Sequence, residues 1–172
     1  MKTEQFDVYI GIDPDSVKSG VAYVEKATGK AEATSLSFAD VLDYLTFVQQ
    51  REMVENGRSV VVVVEAGWLN ETNWHIRRGD NLRMAAAKGK GLGRCEQTGR
   101  LILEMAERIG LKTIARKPLR KCWKGIDRKI THEEIRQITG IMGRTNQEAR
   151  DALLLAWVEA GLPVRVKNRE TL

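Results

Sequence analysis

The stretch Val60-Val61-Val62-Val63-Val64-Glu65 (VVVVVE, residues 60–65) decides the fold. Consecutive β-branched residues suit a strand covered on both faces, as in the parallel part of a mixed sheet. The run closes on an acid, placed where open α/β sheets form their sites, beyond the carboxyl ends of the strands. A second apolar run ends the same way. In residues 6–13 (FDVYIGID), Val8, Ile10 and Ile12 alternate with Tyr9, Gly11 and Asp13, the pattern of a strand.

Working outward, Pro14-Asp15-Ser16 is turn chemistry, and residues 20–24 (GVAYV) read as a strand returning antiparallel. Thr28-Gly29 suits a hairpin tip, with a third strand over 31–36. Ser37 and Asp40 mark a helix start, and Val41, Leu42, Leu45 and Val48 give it an apolar stripe. Gly67, Asn70, Gly79, Gly89, Gly91 and several arginines predict a long loop or partly helical excursion over 66–92. A helix over 93–109 and a strand over 111–115 follow. Thr131 with Glu134 forms a capping box, and Ile130 with Ile135 a hydrophobic staple. A last helix covers 145–160. The order implies one α/β domain over 1–172: a mixed five-stranded sheet, a three-strand antiparallel meander plus parallel strands, flanked by helices.

The chain has 172 residues, 42% of them hydrophobic, which is enough for a sizeable core. No apolar run approaches the ~20 residues of a membrane span, and the first residues carry no apolar signal region. Cys95 and Cys122 lack metal-site spacing. A cytoplasmic setting without membrane partners is expected. The net charge of +5 hides an asymmetry. Residues 1–76 hold 6 Lys/Arg against 12 Asp/Glu, whereas residues 77–130 hold 16 against 5. So basic a middle third suits a polyanionic partner, although a solvated surface shows the same excess.

Two further acids lie on the last helix. Glu148 and Asp151 are i and i+3, on one face, where like charges cost helix stability unless a cation lies between them. Hard divalent cations are held by carboxylate oxygens, and a two-metal site stabilises both oxygens of an in-line phosphoryl displacement. Each acid also has a purely structural reading. Asp13 fits an Asx turn, Glu65 a strand-end ion pair, Glu148 a capping box with Thr145 as N-cap, and Asp151 a helix N-terminal charge.

Gly11-Ile12-Asp13-Pro14, Val63-Val64-Glu65, the basic segment from Lys117-Pro118 to Gly125 with its following helix, and Glu148-Ala149-Arg150-Asp151-Ala152-Leu153 occur in this order. Over residues 6–160 the chain thereby resembles the RuvC Holliday-junction resolvases of the ribonuclease H-like superfamily. The resemblance implies a homodimeric endodeoxyribonuclease that cuts four-way DNA junctions by paired symmetric nicks. It implies two Mg²⁺ ions per site, or Mn²⁺ in their place. Asp13, Glu65, Glu148 and Asp151 fall on the family's catalytic, metal-binding acids, and Lys124 or Lys121 on its basic residues near the cut phosphate, with Lys124 preferred. Asp15 departs from the family's usual glycine, and Glu148 from the aspartate of many members. Trp68 matches a position often aromatic and close to the junction centre. Arg77, Arg78, Arg83, Lys88, Lys90, Lys117, Arg120, Lys121 and Lys124 suit DNA phosphates, and Trp74 and His75 suit stacking on bases. The competing readings are another nuclease of this fold, acting on flaps or RNA–DNA hybrids, and a non-catalytic binder of branched DNA.

Overall fold

The computed structural model describes residues 4–70 and 77–165. Its centre is a five-stranded sheet in the order β3-β2-β1-β4-β5. The strands are β1 (Val8–Asp13), β2 (Ser19–Glu25), β3 (Ala31–Leu36), β4 (Val60–Glu65) and β5 (Lys112–Arg116). β2 runs antiparallel to β1 and β3, while β4 is parallel to β1 and to β5. This is the mixed sheet expected from the sequence, a three-strand antiparallel meander plus parallel strands. The valine strand is central, with Val60 to Val64 fully buried.

Parity along the strands assigns each residue to one of two cores. Val8, Ile10, Ile12, Val60, Val62 and Val64 pack against α1 (Phe38–Val48) and α2 (Leu82–Arg108). Tyr9, Val61 and Val63 face the other side, towards α4 (Gln147–Glu159) and α3 (His132–Thr139). Successive side chains of a strand alternate between faces, so Asp13 and Glu65 belong to the α4 side.

α4 lies unusually close to the sheet because two glycines let it. A Cβ on Gly11 would run into the backbone carbonyl of Ala152 and the Cβ of Ala156, and one on Gly20 into the carbonyl of Glu148. Gly20 is the pairing partner of Asp13 across β1 and β2. The helix bearing Glu148 and Asp151 is thus seated directly over the strand end bearing Asp13.

The helix starts divide into expected and unexpected. Ser37 caps α1, accepting from the Asp40 amide at 3.3 Å. Thr131 and Glu134 form the expected capping box of α3, and Ile130 and Ile135 share a core. α2, however, begins at Leu82, well before residue 93, and Gly89, Gly91 and Gly93 lie inside it. Glycine costs about 1 kcal/mol per helical position. Here the loss is offset by the Asn81 cap, which accepts from the Met84 amide, and by the strong helix formers Leu82-Arg83-Met84-Ala85-Ala86-Ala87-Lys88. Between α1 and β4, residues Gln49–Glu55 wind into a wider π-type turn that buries Glu52. Its carboxylate is held by Arg51 at 2.7 Å and Arg58 at 3.3 Å. Among the described residues no helix is long and apolar enough to cross a membrane.

Candidate active site

The turn after β1 separates two aspartates that the sequence left interchangeable. Asp15, not Asp13, makes the Asx turn: its Oδ1 accepts from the Val17 amide at 2.8 Å. Its Oδ2 accepts from the Cys95 thiol at 3.8 Å, and Ser19 Oγ accepts from its amide at 3.1 Å. The departure from glycine at this position thus supplies a turn residue, and Asp13 is released from that role.

A similar correction applies to Glu148. The cap of α4 is Asn146, whose side chain accepts from the Ala149 amide at 3.0 Å, while Thr145 Oγ1 pairs with His132 Nδ1 at 3.1 Å. Glu148 is therefore not the acid of a capping box with Thr145, and it lines the same groove as Asp13, Glu65 and Asp151. Among the described residues no arginine pairs with Glu65 at the strand end either, since its ladder neighbour Arg116 turns to Glu159 at 2.6 Å.

Burial and neighbouring charge act on three of these acids. Burial, then the charges of Glu65 and Asp151, push the Asp13 carboxyl well above its ordinary range. Burial, then Asp151, raises Glu65 to about 7. Asp151 is raised as well, chiefly by burial, against the pull of the Gln147 hydrogen bond at 2.8 Å and of Lys129. The donor set fits a hard divalent cation: four carboxylates from two strand ends and one helix face, all oxygen. Among the described residues, no group of three His, Cys, Asp or Glu stands close enough to enclose an ion.

This predicts a pH dependence of stability. An acid with its folded pKa raised contributes stability that is complete below its unfolded value and lost as pH rises through the folded value. For Glu65 the window runs from 4.5 to about 7. Thermal melts in chelator should show a Tm falling between pH 5 and 8, a fall that Glu65→Gln lessens and Mg²⁺ reverses. A Tm indifferent to Mg²⁺ at pH 8 would count against the cluster as a cation site.

The groove of about 1420 Å³ has basic walls. Of the residues expected to meet DNA, Trp68, Arg77, Lys88, Arg120 and Lys121 line it, whereas Arg78, Arg83, Lys90, Lys117 and Lys124 do not. Lys88 is tied to Asp80 at 2.6 Å. Trp68 and Pro14 both crowd Gly99, and the Arg100 guanidinium lies 4.7 Å from the Trp68 ring centroid. Trp74 and His75 lie outside the described residues.

Among the described residues, Lys129, which sequence reasoning missed, forms an ion pair with one of the acids, its Nζ 3.8 Å from Asp151 Oδ2. Lys129 and Lys121 both pull down the pKa values of Glu65 and Asp151. Lys124 is instead held through its backbone: its amide donates to the buried Glu134 carboxylate at 3.2 Å. The loop is fastened to α4 at Ile130, whose carbonyl accepts from Arg150 at 3.1 Å and Gln147 at 3.3 Å. A signal for Lys129 existed in the sequence. It directly precedes the staple residue Ile130, and burial of a staple fixes the chain entering a helix.

No protein-family model and no curated protein matches the chain. Among solved structures it is similar to Thermus thermophilus RuvC in complex with a Holliday junction substrate, at 20% identity and a TM-score of 0.46. That likeness covers 87% of this chain and 89% of the other. A second Thermus thermophilus RuvC structure is similar at 17% identity and a TM-score of 0.46, covering 90% of this chain and 97% of that one.

Proposed function

We propose that this chain is a divalent-metal-dependent endonuclease acting on branched DNA, with the four-way junction as preferred substrate. The observation that carries the reading is that Asp13, Glu65, Glu148 and Asp151 line one groove with basic walls, with the structural alternatives for Asp13 and Glu148 taken by Asp15 and Asn146. Buried acids of which Asp13 is raised further by the charges of Glu65 and Asp151, and Glu65 by that of Asp151, are a poor surface for DNA and a good one for cations.

In this reading the carboxylate oxygens of Asp13, Glu65, Glu148 and Asp151 hold Mg²⁺. Bound there, the metal supplies Lewis-acid polarisation of the phosphate and a water of lowered pKa. Lys129 and Lys121 face the charge that develops on the phosphate, and Gln147 fixes the orientation of Asp151 through its 2.8 Å bond. Arg77, Arg100 and Arg120 contact flanking phosphates, positioning the strand without reading its bases. Two copies of the chain would present two such sites for paired nicks.

The lysines give a sharp test. Lys129→Ala is expected to slow single-turnover cleavage by roughly 100-fold, the scale of removing one preorganised electrostatic donor, with junction affinity little changed. Lys124→Ala should be nearly silent in cleavage. The reverse ranking would transfer the role back to Lys124. The reading as a whole is tested by Mg²⁺-dependent digestion of a four-way junction, a flap, a linear duplex and an RNA–DNA hybrid. Preferential cutting of the junction, abolished by chelator, is expected. Junction binding without cutting under any metal would favour a non-catalytic binder, and preference for the hybrid a different nuclease of this fold.

A further inference from the structure

Four large apolar side chains are nearly bare: Leu82 (91% exposed), Ile126 (89%), Met142 (85%) and Val17 (75%). Single surface hydrophobics need no explanation. Val17 and Ile126, however, sit on connections at the end of the sheet that carries the acids, while Leu82 and Met142 border helices. Val17 lies between β1 and β2, Leu82 opens α2, Ile126 follows β5 and Met142 leads into α4.

Ile126 differs from the other three in how it is held. Trp123 donates from its amide to the Arg128 carbonyl at 3.1 Å, and Gly125 to the Lys129 carbonyl at 3.0 Å. Two non-glycine residues, Asp127 (φ 53°) and Arg128 (φ 59°), occupy the left-handed region just past the tip. Such residues persist only when their surroundings over-determine them. The Glu134 carboxylate secures the base of this finger at the Lys124 amide. Gly125 leaves room for the Lys129 carbonyl, which a Cβ would strike. Backbone bonds and strain thus hold an isoleucine away from every core.

Its surroundings specify what it meets. Lys124 and Arg128, both exposed, flank it, and Lys129, three residues on, reaches Asp151 at 3.8 Å. Three residues of chain span at most about 10 Å, and the lysine side chain with its 3.8 Å contact adds a similar length, so the tip stands within a few nucleotides of the acids. A hydrophobic protein partner would have to desolvate these cations. Nucleic acid suits both features, since phosphates take the cations while an opened base step offers apolar faces. Isoleucine is among the side chains that wedge between base steps.

We propose that Ile126 is an apolar wedge entering an unstacked base step beside the scissile phosphate. It would thereby favour branched DNA, whose bases at the crossover are already loosened, over regular duplex. This inference rests on the nuclease reading above.

The test places 2-aminopurine at the branch of a four-way junction and measures fluorescence, junction and duplex affinity, and Mg²⁺-dependent cutting for the wild type, Ile126→Ala and Ile126→Leu. With wild type, fluorescence should rise on binding as the probe unstacks. Ile126→Ala should lose most of that rise and weaken junction binding roughly tenfold relative to duplex, the scale of one unstacked step. Ile126→Leu should retain both. The side chain is exposed, so melting temperatures should match and folding does not confound the comparison. Full fluorescence gain and junction preference in Ile126→Ala would overturn the wedge, as would wild-type cutting with no gain at all, and either leaves the nuclease reading standing. A wild type that neither binds nor cuts the junction defeats the reading and the wedge together.

Discussion

Asp13→Asn should lower junction cleavage by about 10³-fold or more at saturating Mg²⁺, since it removes several kcal/mol of metal-dependent charge stabilisation. Asparagine has the shape of aspartate, so the strand end and its pairing with Gly20 should survive. The loss should therefore appear in the cleavage rate and leave junction affinity unchanged or slightly improved, because one negative charge leaves the groove floor. Asp15→Asn is the natural contrast. Asparagine also makes Asx turns, and the Asp15 carboxylate is engaged by Val17 and Cys95. That variant should cleave at close to the wild-type rate. Single-turnover cleavage and gel-shift affinity, measured in parallel, check both. Full activity in Asp13→Asn, or equal losses in the two variants, would refute the division of roles between these neighbours.

That division was the part of the site the sequence could not resolve. Two aspartates flanking a proline both suit a turn, and only the observed Val17 amide bond decides between them. The sheet was more readable. Alternation in β1, the unbroken valines of β4 and the Thr131–Glu134 box are local signals, each strong enough to survive its surroundings. The start of α2 was not readable, because glycines that normally end helices are outweighed there by the cap at Asn81 and seven good formers. Lys129 eluded the reading for another reason. Its position beside Asp151 depends on a loop folded by Glu134, ten residues from the Lys124 amide it binds, and by Arg150 on another helix. Both partners fall inside local motifs, the Thr131–Glu134 box and the run from Glu148 to Leu153, but neither motif says that its side chain reaches back to the loop. Much of the groove wall is of this kind, since Arg100 reaches it from α2 and Arg128 from the finger.

Gly20→Ala tests how the four acids are brought together, and a large effect is expected from one methyl group. The added Cβ would coincide with the carbonyl of Glu148 and crowd the Ala149 amide at 2.8 Å. Those are backbone atoms in the first turn of α4, so no rotamer change relieves the clash; the strand or the helix must move. The helix is also pinned further along, where Gly11 abuts Ala152 and Ala156. The movement should therefore concentrate at its start, which carries Glu148 and Asp151. Overpacking of this sort costs about 1–3 kcal/mol, or roughly 3–10 °C in Tm for a chain of this size. A misplacement of about 1 Å in a catalytic set can cost 10²-fold in rate. Gly20→Ala should accordingly lose about 100-fold in cleavage at temperatures where it is fully folded, and bind Mg²⁺ more weakly by its thermal shift. Gly91→Ala is the counterpart. Among the described residues no atom crowds that position on the exposed part of α2, so it should gain up to about 1 kcal/mol from helix propensity and keep its activity. If Gly20→Ala were destabilised yet cut junctions at the wild-type rate, close seating of α4 would matter for the core alone, and the acids would owe their placement to the strands.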